Sequence, residues 1–185
     1  MRENFKLALA WLMDYEGGVS NDKYDPGGLT KWGVTHIDYD HYRSLKGLPR
    51  RLVTSMTEAE FQDIYLTFYW NVCQCDAMAP GVDACVFDMA VNNGVVGAAK
   101  AAQRVASRLL GKVIDVDGHI GPITLASIQT CDPIQFIDAF CAERLRLDRT
   151  FKNWFAFGKG WTARDAKVKS RTESLAGKAK ELVHG

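Results

Sequence analysis

A glutamate, two aspartates and a threonine stand close together near the start of the chain, and their types suit acid–base chemistry. Phe5, Leu9, Leu12 and Glu16 recur at the three- and four-residue steps of one helix face. A carboxyl group thus ends an apolar stripe, and Gly17-Gly18 predicts the stop of that helix. Burial and the negative end of the helix dipole both disfavour the ionised form. A carboxylic acid held there stays protonated near neutral pH and can donate its proton, as a general acid must when a glycosidic bond is cut. The helix by itself leaves a second reading open, a solvated glutamate at a fraying end.

The residues that follow weigh towards the acid. Pro26 and the glycines at 17, 18, 27, 28 and 33 break any helix, so the chain must turn back. Asp25-Pro26-Gly27-Gly28 reads as a tight turn, and Leu29 to Thr35 as a strand of a small hairpin. Such a hairpin brings Asp22, Asp25 and Thr30 beside Glu16. An acid, a carboxylate and a hydroxyl around a cleft make a site for glycosidic cleavage. Turn capping is the alternative for both aspartates. Tyr24 and Trp32, near in sequence to the acid, are expected as cleft residues that contact substrate.

The stretch E-G-G-x-x-x-D-x-x-D-P-G-G-x-T-x-x-G-V-T, Glu16 to Thr35, closely resembles the signature of the glycoside hydrolase family 108 muramidases. These bacterial and phage enzymes cut the glycan strand of peptidoglycan. The resemblance implies a mainly α, lysozyme-like helical fold with a small β-hairpin near the active site, and it puts the catalytic role on Glu16. The spacing is also similar to the Glu…Asp…Thr arrangement of phage-type lysozymes, E-x8-D-x5-T. Here it is E-x8-D-x4-T at Glu16, Asp25 and Thr30, a departure of one residue. Downstream, Phe87 to Gly94 is similar to the family's F-D-x-x-V-N-x-G segment. Asp117 to Thr124 is similar to the D-G-x-x-G-P-x-T turn of small peptidoglycan-binding modules. Gly158-Lys159-Gly160-Trp161 with Arg164 resembles the closing K-G-W-x-x-R segment. A catalytic region over residues 1–92 and a helical, peptidoglycan-binding-like region over 93–185, packed as one body, are expected.

Composition agrees with that picture. A chain of 185 residues with 47% hydrophobic residues can fill one good core or two small lobes. It has no apolar run of membrane-spanning length, so no integral membrane segment is expected. Lys6 and Asp14 interrupt the N-terminal run, which lacks the features of a secretory signal. The expectation is synthesis in the cytoplasm and action on the wall in the periplasm, with access given by a holin or by a secretion system. The substrate partner expected is bacterial peptidoglycan, and a monomer suffices. A formal charge of +1 gives no long-range attraction to nucleic acid. Basic residues outnumber acidic ones from Lys159 onward, and a solvated helix face or attraction to an anionic surface both account for that.

No cofactor and no metal are expected. The five cysteines are odd in number and irregularly spaced, so they do not make a disulfide framework. Cys73-Gln74-Cys75 lacks a second ligand pair, and Cys85 sits on the apolar stripe of Val82, Val86 and Met89. Asp115-Val116-Asp117-Gly118 lacks the closing ligands of a calcium loop and reads as a turn.

The remaining elements are helical. Thr57 to Glu60 is a capping box before a stripe of Phe61, Ile64, Tyr65 and Phe68. A helix near Val82 to Asn92 leads to Asn93, which either caps it or reaches a sugar's N-acetyl or hydroxyl group. Alanine-rich Val95 to Leu110 is a helix by propensity. Asp132-Pro133 opens the next with a cap and a first-turn proline. The last is expected to open at Thr162, with Val168, Leu175 and Leu182 inward. Before it, Trp154 to Trp161 reads as a loop that packs as a hinge or, like Trp70, stacks on a sugar ring.

Overall fold

The computed structural model describes residues 2–14, 19–21 and 29–184. The backbone divides into two units, Phe5–Phe68 and the larger Tyr69–Gly185 joined by Met1–Asn4. The fold is mainly α with one small antiparallel sheet, as expected.

Helix α1 (Arg2–Met13) opens the chain, and its stripe of Phe5, Leu9 and Leu12 is buried as the spacing requires. Strands β1 (Val19–Asn21), β2 (Leu29–Lys31) and β3 (Val34–Thr35) form the sheet in that order, with Ser20 opposite Thr30 and Thr30 opposite Thr35. The expected run from Leu29 to Thr35 is therefore two strands. Trp32 and Gly33 form the two-residue turn between them, with φ of 52° and 77°. Positive φ at both positions is what a tight hairpin requires, and it is costly for a tryptophan. Compensation comes from contacts: Lys31 Nζ lies 4.3 Å from the Trp32 ring centroid, Phe61 packs edge-on at 5.3 Å, and the Tyr65 hydroxyl donates to the Trp32 carbonyl.

Helix α2 (His36–Leu45) is capped by Thr35, whose Oγ1 accepts from the Asp38 amide. Helix α3 (Glu58–Tyr65) carries the expected capping box, with Glu60 N–H bonded to Thr57 Oγ1 and Thr57 N–H to the Glu60 carboxylate. Burial works against the charge of Glu60. The Thr57 amide, the Tyr39 hydroxyl and Arg51 outweigh it and hold the carboxyl below its ordinary range. The chain leaves α3 through one π-helical turn, Leu66–Trp70.

In the larger unit, helix α4 (Val82–Asn93) is buried at every residue from Val82 to Ala90. The stripe of Val82, Val86 and Met89 is inward, but so is the opposite face, with Asp83 and Asp88 on it. A helix wrapped on all sides shows little amphipathicity. Around it stand α5 (Val95–Leu110), α7 (Pro133–Asp148) and α8 (Trp154–His184), and α6 (Pro122–Thr130) packs on α5. Asp132 caps α7 by accepting from the amides of Ile134 and Gln135. Trp70, Phe87, Phe136 and Phe140 are fully buried, each worth roughly 1.5–3 kcal/mol of transfer free energy.

Helix α8 differs from expectation twice. It begins at Trp154, so the segment to Trp161 is its first two turns and not a loop. Gly158 permits this, because a Cβ there would meet the Trp154 indole at 2.7 Å. Its buried face is Asp165, Val168, Thr172 and Ala176, while Leu182 is 87% exposed. Small residues are needed on that face because the backbone of Gly81 approaches it; a Cβ on Gly81 would stand 2.3 Å from the Thr172 carbonyl oxygen. Gly81→Ala is expected to lower the melting temperature measurably, since φ there is +89° as well. An unchanged melting curve would mean that α8 shifts freely.

The Asp117–Gly118 turn is a structural joint. Gln103, buried on α5, donates through Nε2 to Asp117, to the His119 carbonyl and to Thr124, and accepts from Gly118 N–H. All five cysteines are free and buried, with the Cys85 and Cys141 sulfurs 3.6 Å apart. Among the described residues no group of His, Cys, Asp or Glu is placed to hold a metal ion. No helix among them is long and apolar enough to cross a membrane.

Candidate active site

Glu16, Asp22, Tyr24 and Asp25 lie outside the described residues. Thr30 and Trp32 belong to the smaller unit. Thr30 is half-buried in the central strand of the sheet, and Trp32 is half-exposed in the turn that follows it. Trp70 and Asn93 belong to the larger unit. Trp70 has no exposed surface; it packs edge-on against Phe87 and donates from Nε1 to Asp76. That burial leaves no ring face for a sugar, and a core role accounts for the residue. Asn93 is the last residue of α4, half-buried, and its amide donates to Asp148 at 2.8 Å. It borders an open pocket.

The pocket has a volume of about 580 Å³ and is lined by Asn92, Asn93, Phe151, Lys152, Trp161 and Arg164, among others. Beneath it lies a buried ionic cluster. Arg144, on α7, meets Asp88 of α4 at 2.6 Å, Asp165 of α8 at 2.9 Å and Asp148 at 3.9 Å. Arg164 meets the other oxygen of Asp88 at 3.0 Å. The F-D segment around Asp88 and the K-G-W-x-x-R segment around Arg164 thus meet in space, and their charged residues pin three helices together. Asn92 bonds back to the Asp88 carbonyl at 2.6 Å.

Sequence reasoning missed Arg144, Asp148 and Asp165. Their signal was present: Ile137, Cys141, Arg144 and Asp148 follow the three- and four-residue steps of the buried face of α7. Charged residues on an apolar stripe are the same signal that marks Glu16, and Leu145, the apolar residue next to Arg144, is only half-buried. Lys152 and Asn153 gave no such signal, because they are exposed lip residues of the pocket.

Two guanidinium groups face three carboxylates in this cluster. Desolvation raises the Asp165 carboxyl; Arg144 pulls it down, while Asp148 and Asp88 add repulsion, and the result is pushed up to about 6. Neither Asp165 oxygen makes a hydrogen bond as an acceptor. Because the folded-state value lies above the unfolded one, the stabilising contribution is complete below about pH 4 and is lost as pH rises through about 6. Asp165→Asn is therefore expected to melt near the wild-type temperature below about pH 4 and to gain on it at pH 8. Melting curves of both proteins between those values test this, and a constant difference would count against the charged form being strained.

The Glycosyl hydrolase 108 family profile matches residues 9–94, a span from α1 through the E-G-G segment to the end of α4. Among solved structures, Brucella abortus SagA is similar at 30% sequence identity, with 95% of this chain and 97% of that chain covered and a TM-score of 0.80. No curated protein matches. Identity at that level over nearly the whole of both chains, together with the profile match across the acid-bearing segment, leads to one conclusion: the chain belongs to glycosyl hydrolase family 108 and is a glycosidase of the peptidoglycan-hydrolase kind.

Proposed function

We propose that the protein is an N-acetylmuramidase, a lysozyme that hydrolyses the β-1,4 link between N-acetylmuramic acid and N-acetylglucosamine. The family match across the Glu16 segment carries this reading. Glu16, protonated, gives its proton to the glycosidic oxygen as the bond breaks. Asp25 is the carboxylate that steadies the oxocarbenium-like state while water attacks, with Asp22 behind it and Thr30 holding water or substrate. Residues 1–92 supply the chemistry and 93–185 the hold on the wall. The protein works as a monomer, is made in the cytoplasm and reaches the periplasmic wall with a holin or a secretion system, in phage lysis or in wall remodelling.

Mass spectrometry of the sugar ends released from purified sacculi tests the reaction. Reducing muramic acid ends are expected. Anhydro ends would make the protein a lytic transglycosylase, and no soluble products would leave a wall-binding protein.

A further inference from the structure

The pocket beside α8 has a chemistry of its own that the proposed cleavage does not use. Its volume of about 580 Å³ lies within the ~300–1,000 Å³ usual for small-molecule sites. Trp161 lines it and is held by Phe151, Trp154 and Phe157, each with ring centroids 6.1 Å away. A ring fixed in this way costs little entropy when a ligand stacks on it. Planar amides stand beside it: Asn93 is oriented by Asp148 and Asn92 by the Asp88 carbonyl. Arg144 and Arg164 are already committed to Asp88, which leaves the pocket floor charge-paired. Lys152 differs. It is exposed on the lip, and no described residue pairs with it.

We infer that this pocket is a muropeptide subsite: Trp161 stacks on an N-acetylated amino sugar, Asn92 and Asn93 bond its polar substituents, and Lys152 takes a carboxylate of the attached acidic peptide. The inference rests on peptidoglycan being the substrate, but not on which bond is cut or on the role of Glu16. Concavity and oriented amides favour a sugar, while Phe155 and Phe157, which project outward on the first turns of α8, make a lipid surface the rival that the test must separate. An ammonium on the lip, with a paired floor beneath, favours a ligand whose charge lies outside the sugar ring.

The test uses the full chain carrying Glu16→Gln, so that binding is read without cleavage. Its tryptophan indole N–H signals are followed by NMR, with that of Trp161 assigned from a Trp161→Phe variant. The probes are muramyl dipeptide, which has a free carboxylate, and tri-N-acetylchitotriose, which has none. Both are expected to shift the Trp161 signal. Lys152→Glu, a surface change that leaves folding intact, is expected to weaken muramyl dipeptide at least tenfold and chitotriose less than twofold. An unmoved Trp161 signal with both probes would overturn the inference, as would equal effects of Lys152→Glu on the two. A shift of that signal by anionic phosphatidylglycerol vesicles but by neither sugar probe would overturn it in favour of a membrane contact. Release of reducing ends by the wild type without pocket binding removes the subsite alone. Pocket binding without cleavage removes the muramidase reading alone.

Discussion

Glu16→Gln is expected to lower the rate of sacculus lysis by about 10²–10⁴-fold, the usual worth of a positioned general acid. Glutamine keeps the shape and polarity of the side chain but has no proton to give to the leaving oxygen. The melting temperature should stay where it is, because glutamine fills the same volume as glutamic acid. Turbidity loss of a sacculus suspension, beside a melting curve of the same preparation, separates the two effects. A variant with near-normal lysis would remove Glu16 from the mechanism. Asp25→Asn is expected to cost less, since an electrostatic partner is only partly replaced by an amide dipole. No loss at all at Asp25 would shift the second role to Asp22. A pH–rate profile that loses its alkaline limb in Glu16→Gln residual activity would identify that limb with the acid.

Arg144→Met is expected to destabilise the fold by about 3–5 kcal/mol, the range for breaking a buried ion pair from one side. Arg144 is nearly fully buried, and Asp88 and Asp165 both rely on it. Burial works against its charge, yet the neighbouring carboxylates raise its pKa above the ordinary guanidinium value. Methionine fills much of the volume and leaves those carboxylates uncompensated between α4, α7 and α8. For a chain of this size about 2–4 °C of melting temperature goes with each kcal/mol, so a clear fall is expected. The loss should shrink at low pH, where the stranded carboxylates can protonate. Arg144→Lys keeps the charge but loses the fork that reaches two helices, and should fall between. A loss below about 1 kcal/mol for Arg144→Met would mean that the cluster rehydrates instead of remaining dry.

Much of the helical framework was legible in the sequence because its signals are local. The Thr57–Glu60 box, the Asp132-Pro133 start and the alanine-rich run from Val95 to Leu110 each act within one or two turns of backbone, and each forms the element expected. The E-G-G segment invites a chemical reading for a related reason, a carboxyl group on an apolar stripe followed by glycines, and that reading falls on residues outside the described ones.

What the sequence by itself determined, then, was helix starts, the Asp117–Gly118 turn and the class of chemistry. Only the tertiary structure decided that Trp154 to Trp161 is helix, since its two glycines argue against helix until the Trp154 ring is seen lying over Gly158. It alone decided that α8 turns Asp165, Thr172 and Ala176 inward and not Leu182, because the close approach of Gly81 admits only small side chains. It alone joined Asp88, Arg144 and Arg164, residues as much as 76 positions apart, into one buried cluster beneath a pocket. Local periodicity reports which face of an element is apolar; it carries no information on which distant charge will neutralise another, and that is settled only when the helices pack.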